Sequence, residues 1–181
     1  MLRGLVRRGL AEDRRGTALV EFAAVAPVLI VLWLGSLQIE DGIACNRKVT
    51  IATRAIADLI AQNVSGTTNK SEVDSNLNAT TMVLAPYDSS RATIRVTEVY
   101  TNLLGQTSVV WSRSLNGTPL VRNASVTIPL NLRYADSYLL YAEVTYNYKP
   151  PMNFGFIGPM KLGDNLFMLP RNSSKIDCSD C

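Results

Sequence analysis

A run of residues without a single charged side chain, Phe22–Ile39, most strongly constrains how this chain folds. A helix needs about 20 apolar residues to cross a bilayer, and Thr17–Val20 extends the apolar character on the N-terminal side. The run exceeds the roughly 7–15 residues of a cleaved secretory signal, and no small-residue cleavage site follows it. Pro27 is tolerated in a membrane helix, where it loosens the backbone locally. The sequence therefore predicts one transmembrane helix over residues 17–40.

The basic charge of the chain lies before this run. The formal net charge is +3, and residues 1–16 alone hold five arginines against two acidic side chains, so residues 17–181 are neutral. Positive residues flank the cytoplasmic end of membrane helices, which places the N-terminus in the cytoplasm and everything after about residue 40 outside it. A nucleic-acid-binding domain would carry its basic excess on its folded part. No nucleic-acid partner is expected.

The residue types present argue against catalysis. The chain has no histidine, which removes the usual general base and the commonest metal ligand, and it has no Gly-rich phosphate loop or paired-carboxylate site. We therefore expect a protein that is not an enzyme and that needs no cofactor and no metal.

Three cysteines are present, at Cys45, Cys178 and Cys181. Outside the cytoplasm a disulfide is expected, and it joins either Cys178 to Cys181 or one of these two to Cys45. A thioredoxin-like redox site is disfavoured because the Cys-x-x-Cys motif does not open a helix. A metal site is disfavoured because it needs about four ligands.

An acidic residue, Glu21, stands at the start of the uncharged run, where a charge is costly. It lies in the segment Arg14-Arg15-Gly16-Thr17-Ala18-Leu19-Val20-Glu21-Phe22, in which a glycine follows basic residues and precedes four residues, a glutamate and an aromatic residue. This order resembles the processing site of type IV pilins and pseudopilins. Residues 14–35 resemble the opening of the TadE family of Tad (tight adherence, Flp) pilus assembly proteins.

Two segments near the other end carry the same resemblance. Glu143–Pro150, with the Gly/Pro/aromatic stretch that follows it to Gly158-Pro159, is similar to the strand and proline-rich exit of TadE-like proteins. Leu169-Pro170-Arg171 is similar to their closing segment. The likeness therefore covers residues 14–60 and 140–171, and the middle of the chain resembles no family.

The resemblance implies a role in pilus assembly. A membrane prepilin peptidase would cut after Gly16 and leave Thr17 as the new N-terminus. Glu21, with Phe22 beside it, would then pair within the membrane with the N-terminal amine of a neighbouring subunit, and such a pair sets register more than it adds stability.

These features imply a minor pseudopilin of a Tad-type pilus or secretion system that takes part in pilus assembly and surface adhesion. It would be a single-pass protein of the bacterial inner membrane with a periplasmic head, and it would enter a surface pilus or stay in the assembly platform. Its partners would be the prepilin peptidase, other pilin-like subunits, inner-membrane Tad assembly proteins and membrane lipid. Two alternatives remain: an uncleaved membrane-anchored adhesin or sensor domain, and an extracytoplasmic thiol-disulfide protein.

Past the membrane the pattern is first helical and then extended. Apolar residues at steps of three and four predict that the helix continues over residues 41–62. Residues 63–69 are typical of a turn, and residues 71–84 are predicted to form a short helix capped by Ser71.

Hydrophobic alternation with a period of two then predicts four strands joined in chain order as an antiparallel meander. They are expected at Arg91–Tyr100, Gln106–Ser114, 123–130 and 138–148. Their apolar face needs a cover, and the long helix can provide it. The expected fold is α+β and pilin-like: a long N-terminal transmembrane and amphipathic helix, then a small antiparallel sheet packed on it in a head (residues 63–181) with a proline-rich, Cys-containing tail.

Overall fold

A long helix, α1 (Arg15–Ala61), dominates the computed structural model, which describes residues 15–151 and 158–181. The leader up to residue 14 and part of the Gly/Pro/aromatic stretch lie outside the described residues. With 47 residues, α1 is about 70 Å long at a rise of about 1.5 Å per residue. It passes through Pro27 and Gly42 without ending.

The two halves of α1 have different surroundings. In the exposed half (residues 16–37) no residue is buried, and this helix is long and apolar enough to cross a membrane. In the packed half (residues 38–61) one face is buried at helical spacing. That face comprises Gln38, Cys45, Val49, Ala52, Thr53, Ile56, Ala57, Ile60 and Ala61. The predicted continuation of the helix to about Gln62 is confirmed.

A short strand, β1 (Thr67–Thr68), and a second helix, α2 (Lys70–Thr81), follow α1. The side chain of Asn69 caps α2 by accepting the Glu72 N–H at 2.9 Å, so the prediction of Ser71 as the cap is wrong. Asn69 takes this role because its backbone is extended while Ser71 already lies inside the helix. Val73 and Leu77 bury the inner face of α2.

Four antiparallel strands form the main sheet: β2 (Ala92–Thr101), β3 (Thr107–Leu115), β4 (Ser137–Tyr148) and β5 (Met160–Met168). They lie in the order β3-β2-β4-β5, so β4 pairs with the far side of β2 and the predicted meander is wrong. On β4, the alternate residues Leu140, Ala142, Val144, Tyr146 and Tyr148 are all buried in the core that α1 and α2 cover. The predicted α+β fold, with a small antiparallel sheet packed on the long helix, is confirmed.

Residues 123–130 do not form the predicted strand. They contribute one isolated bridge, Ser108 to Ser125, and then cross the second face of the sheet. There Ile128 is buried against Val99 and Leu139. The hydrophobic alternation arises because one side of this segment packs on the sheet. The segment does not continue as a strand at Pro129, which cannot donate a hydrogen bond to a neighbouring strand.

The fourth strand is instead β5, which the sequence pattern did not predict. Gly163, Asp164 and Asn165 interrupt its apolar residues, and all three are favoured in turns. β5 forms a strand because it pairs with β4 along its whole length, with Asn147 opposite Lys161 and Tyr148 opposite Met160.

The C-terminal segment closes the end of the head that lies beside the C-terminus of α1. The Arg171 N–H donates to the Ala61 carbonyl at 3.0 Å. A last short strand, β6 (Asp177–Cys178), pairs in parallel with β1. This end is the distal end of the head, and the opposite end, where Tyr148 meets α1, is the proximal end.

Candidate functional site

The residues that the sequence assigns to processing and assembly lie together at the beginning of α1. Gly16 and Thr17 are in its first turn, and Glu21 and Phe22 follow about one turn later. Glu21 is exposed, Phe22 is 68% exposed, and a Cβ added at Gly16 would meet no atom within 4 Å. The first buried residue of α1 is Gln38, which is about 25 Å further along the helix than Glu21. The described part of the head therefore leaves this region accessible.

The exposed half of α1 carries large apolar side chains on all its faces. Trp33 is 62% exposed and Leu32 63%, although a soluble monomer rarely exposes an apolar patch of more than a few hundred Å². An apolar medium or partner must cover this surface. The most exposed members are Leu19, Val20, Phe22, Val28, Leu29, Ile30, Leu32 and Trp33.

A polar contact ties the head to α1 where the exposed half ends. The Tyr148 hydroxyl donates to Asp41 Oδ2 at 2.6 Å, and the Tyr87 hydroxyl donates to Asp41 Oδ1 and to its carbonyl oxygen, both at 3.1 Å. Cys45 is buried one turn further along α1, and the rings of Tyr87 and Tyr146 meet edge to face with centroids 6.2 Å apart. We call these five residues the junction.

The junction has the electrostatics of a structural contact. Burial, with the Asp41 carboxylate beside it, raises the pKa of Tyr87 to about 12, and the same two causes raise the pKa of Tyr148. Burial and Asp41 also raise the pKa of the Cys45 thiol to about 11. All three groups are protonated at neutral pH, so both tyrosines act as donors and Cys45 is unreactive.

Of the disulfides that the sequence left open, the structure contains the one between Cys178 and Cys181, while Cys45 is free. The Asp180 carboxylate accepts the Lys70 N–H at 2.9 Å at the start of α2. The Asp180 carboxylate therefore binds at the N-terminus of α2, where a helix can otherwise lower the pKa of a nearby cysteine thiol.

Tyr141, which belongs to a cluster of tyrosines on and just before β4, stacks on Phe167 of β5. Their ring centroids are 4.7 Å apart. This contact belongs to the second face of the sheet, where Ile128 and Leu139 are also buried.

A buried carboxylate, Glu98, holds the C-terminal segment in place, and the sequence analysis did not identify it. Its Oε1 accepts the Ile176 N–H at 2.6 Å and its Oε2 accepts the Trp111 indole N–H at 3.0 Å. The same indole N–H also donates to the Ile176 carbonyl at 2.7 Å. Glu98 is fully buried, and desolvation raises its pKa to about 7 even though these two donors act to lower it.

A signal for Glu98 was present in the sequence. Ala92, Ile94 and Val96 occupy alternate positions of β2, and the next alternate position is Glu98. A period of two therefore places this acid on the buried face of the sheet. Its partners were not visible, because Ile176 is 78 residues away in sequence.

Searches against protein-family models, curated proteins and solved structures each found no match to this chain.

Glu98 makes the stability of the head dependent on pH. Its pKa is about 7 in the folded chain against 4.5 for an ordinary glutamate, so the folded state binds more protons between these values. The stability that this protonated carboxyl contributes is therefore complete below about pH 4.5 and is lost as pH rises through about 7. The loss in free energy of unfolding by pH 7 is about 3 kcal/mol, at about 1.4 kcal/mol per pKa unit. Urea unfolding in detergent micelles, followed by Trp111 fluorescence in a Trp33→Phe background, measures it.

The matched control is Glu98→Gln in the same background, which is neutral at every pH. Its free energy of unfolding should lack this decline, because the remaining titratable groups are common to both proteins. Equal pH slopes in the two proteins would show that Glu98 ionises normally in the folded head.

Proposed function

We propose that this chain is a membrane-anchored, pilin-like subunit of a Tad-type pilus or secretion system, and that its role is assembly rather than catalysis. The observation that carries the proposal is the division of α1. Its exposed half is apolar on all faces, and its packed half lies under an antiparallel sheet. This is the architecture expected of a pilin-like subunit, in which one half of a single helix anchors the chain in the membrane and the other half packs in the core of the head.

The length of the exposed half supports membrane anchoring. Its 22 residues, 16–37, extend for about 33 Å, and the hydrocarbon core of a bilayer is about 30 Å thick. A bilayer-crossing segment must satisfy its backbone hydrogen bonds internally, which a continuous helix does. The five arginines before it favour a cytoplasmic N-terminus, and the head then lies on the other side of the membrane.

The accessibility of Gly16, Thr17 and Glu21 supports processing and assembly. In the described residues, the head has no part near Gly16 that would exclude a protease from this end of α1. After cleavage, Glu21 would lie one turn from the new amine of Thr17. Both charges are costly in hydrocarbon when alone. Pairing Glu21 with the N-terminal amine of a neighbouring subunit would therefore favour one alignment of the two helices.

The contacts of the Cys178–Cys181 disulfide give no support to a thiol-disulfide function. Cys178 is buried in the core and belongs to β6, which pairs with β1. The Asp180 carboxylate accepts the Lys70 N–H at the N-terminus of α2. These contacts are typical of a structural disulfide that stabilises the packing of the C-terminal segment on the head.

Cleavage after Gly16 is the first prediction of this proposal. When the full chain is co-expressed with its cognate prepilin peptidase, intact-protein mass spectrometry should show the loss of residues 1–16. Gly16→Phe should abolish the loss, because a bulky side chain prevents the close approach of the backbone in a narrow protease cleft.

Gly9 provides a matched control, because Arg7-Arg8-Gly9 repeats the Arg-Arg-Gly sequence of Arg14-Arg15-Gly16. Unlike Gly16, Gly9 is not followed five and six residues later by a glutamate and an aromatic residue. Gly9→Phe should leave cleavage unchanged. Retention of residues 1–16 by the wild-type chain would instead favour the uncleaved adhesin or sensor.

The register role of Glu21 is a separate prediction. Glu21→Ala should be cleaved normally but should reduce co-assembly with other pilin-like subunits by about tenfold or more, a factor equivalent to about 1.4 kcal/mol. Cross-linking and co-purification from membranes measure the assembled fraction. Glu40→Ala removes an acid from the same helix beyond the apolar run and should assemble as the wild type does. Normal assembly of Glu21→Ala would refute the register role and leave cleavage unaffected.

A further inference from the structure

Two lysines lie close together at the proximal end of the head. Lys161 of β5 is paired with Asn147 of β4, and Lys149 is two residues beyond Asn147. Because Tyr148 faces the buried core, Asn147, Lys149 and Lys161 lie on the opposite face of the sheet. Diagonal neighbours on one face of a sheet are about 7–8 Å apart. The two lysines are therefore close enough to bind one anion.

The two lysines form no ion pair with a described carboxylate, although Asp41 and Asp88 line a neighbouring groove that Lys149 also borders. Both lysines are exposed, and neither forms a salt bridge with any acid in the part of the chain that the structure describes. Together with Arg91 and Tyr148 they line an open groove of about 450 Å³. Arg91 already has Asp88 at 3.6 Å, so the two lysines provide most of the uncompensated charge.

The junction fixes the height of this groove along α1. Tyr148 lies between Asn147 and Lys149, and its hydroxyl is 2.6 Å from the Asp41 carboxylate. Asp41 is two residues beyond Ile39, which ends the uncharged run, and is thus about 3 Å further along the helix axis. The polar layer on each side of a bilayer is about 5–7 Å thick. If α1 crosses a bilayer, the groove lies at about the level of the phosphate groups of that layer.

We propose that the groove between Lys149 and Lys161 binds the headgroup phosphate of an anionic phospholipid in the membrane that α1 crosses. The lipid contact and the Asp41 junction would hold the base of the head against the bilayer in one orientation. This inference rests on the membrane anchoring of the proposed function and is independent of cleavage and of pilus assembly.

Titration of phosphatidylglycerol into the full chain in neutral detergent micelles, with bound lipids counted by native mass spectrometry, tests the site. Lys149→Gln with Lys161→Gln should raise the half-saturating lipid fraction roughly thirtyfold, at about fivefold for each lysine near an anionic surface, which is about 1 kcal/mol each. Arg122→Gln with Lys70→Gln removes two exposed charges away from the proximal end and should leave it unchanged. All these proteins share the basic leader, so its own lipid binding cancels.

Three outcomes would overturn the site. One is equal lipid binding by the lysine variant and the wild type, and another is an equal loss in the control variant. The third is displacement of the lipid by inorganic phosphate at matched concentration, which would assign the groove to a free anion. Co-elution of the chain with phosphatidylcholine nanodiscs reports on the anchor separately, so a chain that inserts but shows no preference for the anionic lipid refutes only the headgroup site.

Discussion

The hydrogen bond between Tyr148 and Asp41 marks the point at which one helix passes from an exposed apolar surface to a protein core. Before it, Gln38 is the one buried residue among residues 16–40 of α1, and after it one face of the helix is covered by the sheet. The contact joins residues that are 107 positions apart, and Tyr87 binds the same carboxylate from a third part of the chain. The position of the head along α1, and therefore the length of helix left for a membrane, depends on this polar anchor.

The same division explains how the charge of the chain is distributed. The folded head and the helix are neutral overall, while the basic excess lies in residues 1–16. Under the proposed function these arginines would fix the direction of insertion and would then be removed with the leader. The remaining local charge at the proximal end, at Lys149 and Lys161, would meet the bilayer surface on the other side.

Much of the fold follows from local patterns, and what does not follow depends on distant partners. The uncharged run and the three-four spacing after it predict α1 almost to its last residue, and the alternation of residues 138–148 predicts β4. The alternation of 123–130 was misleading because burying one face of a crossing segment gives the same pattern as a strand. The order β3-β2-β4-β5 was not predictable from hairpin turns, because it depends on which side of β2 receives β4.

The site divides in the same way. The proposed roles of Gly16, Thr17, Glu21 and Phe22 come from a resemblance carried by one short segment, because that chemistry is local to one end of a helix. The junction and the contacts of Glu98 were not predicted, because each brings together groups from three separate segments. A buried acid at an inward position of β2 indicates that a partner exists without identifying it.

The claim that the exposed half of α1 lies in lipid is tested most directly by quenching tryptophan fluorescence with brominated phospholipid. The chain has only two tryptophans, Trp33 in the exposed half and Trp111 in the core of the head. In vesicles of lipid brominated in the middle of the acyl chain, the wild-type protein should be quenched, and Trp33→Phe, which retains Trp111, should not. Equal emission of the wild-type protein in brominated and unbrominated vesicles would contradict the account, because Trp33 would then lie outside the bilayer.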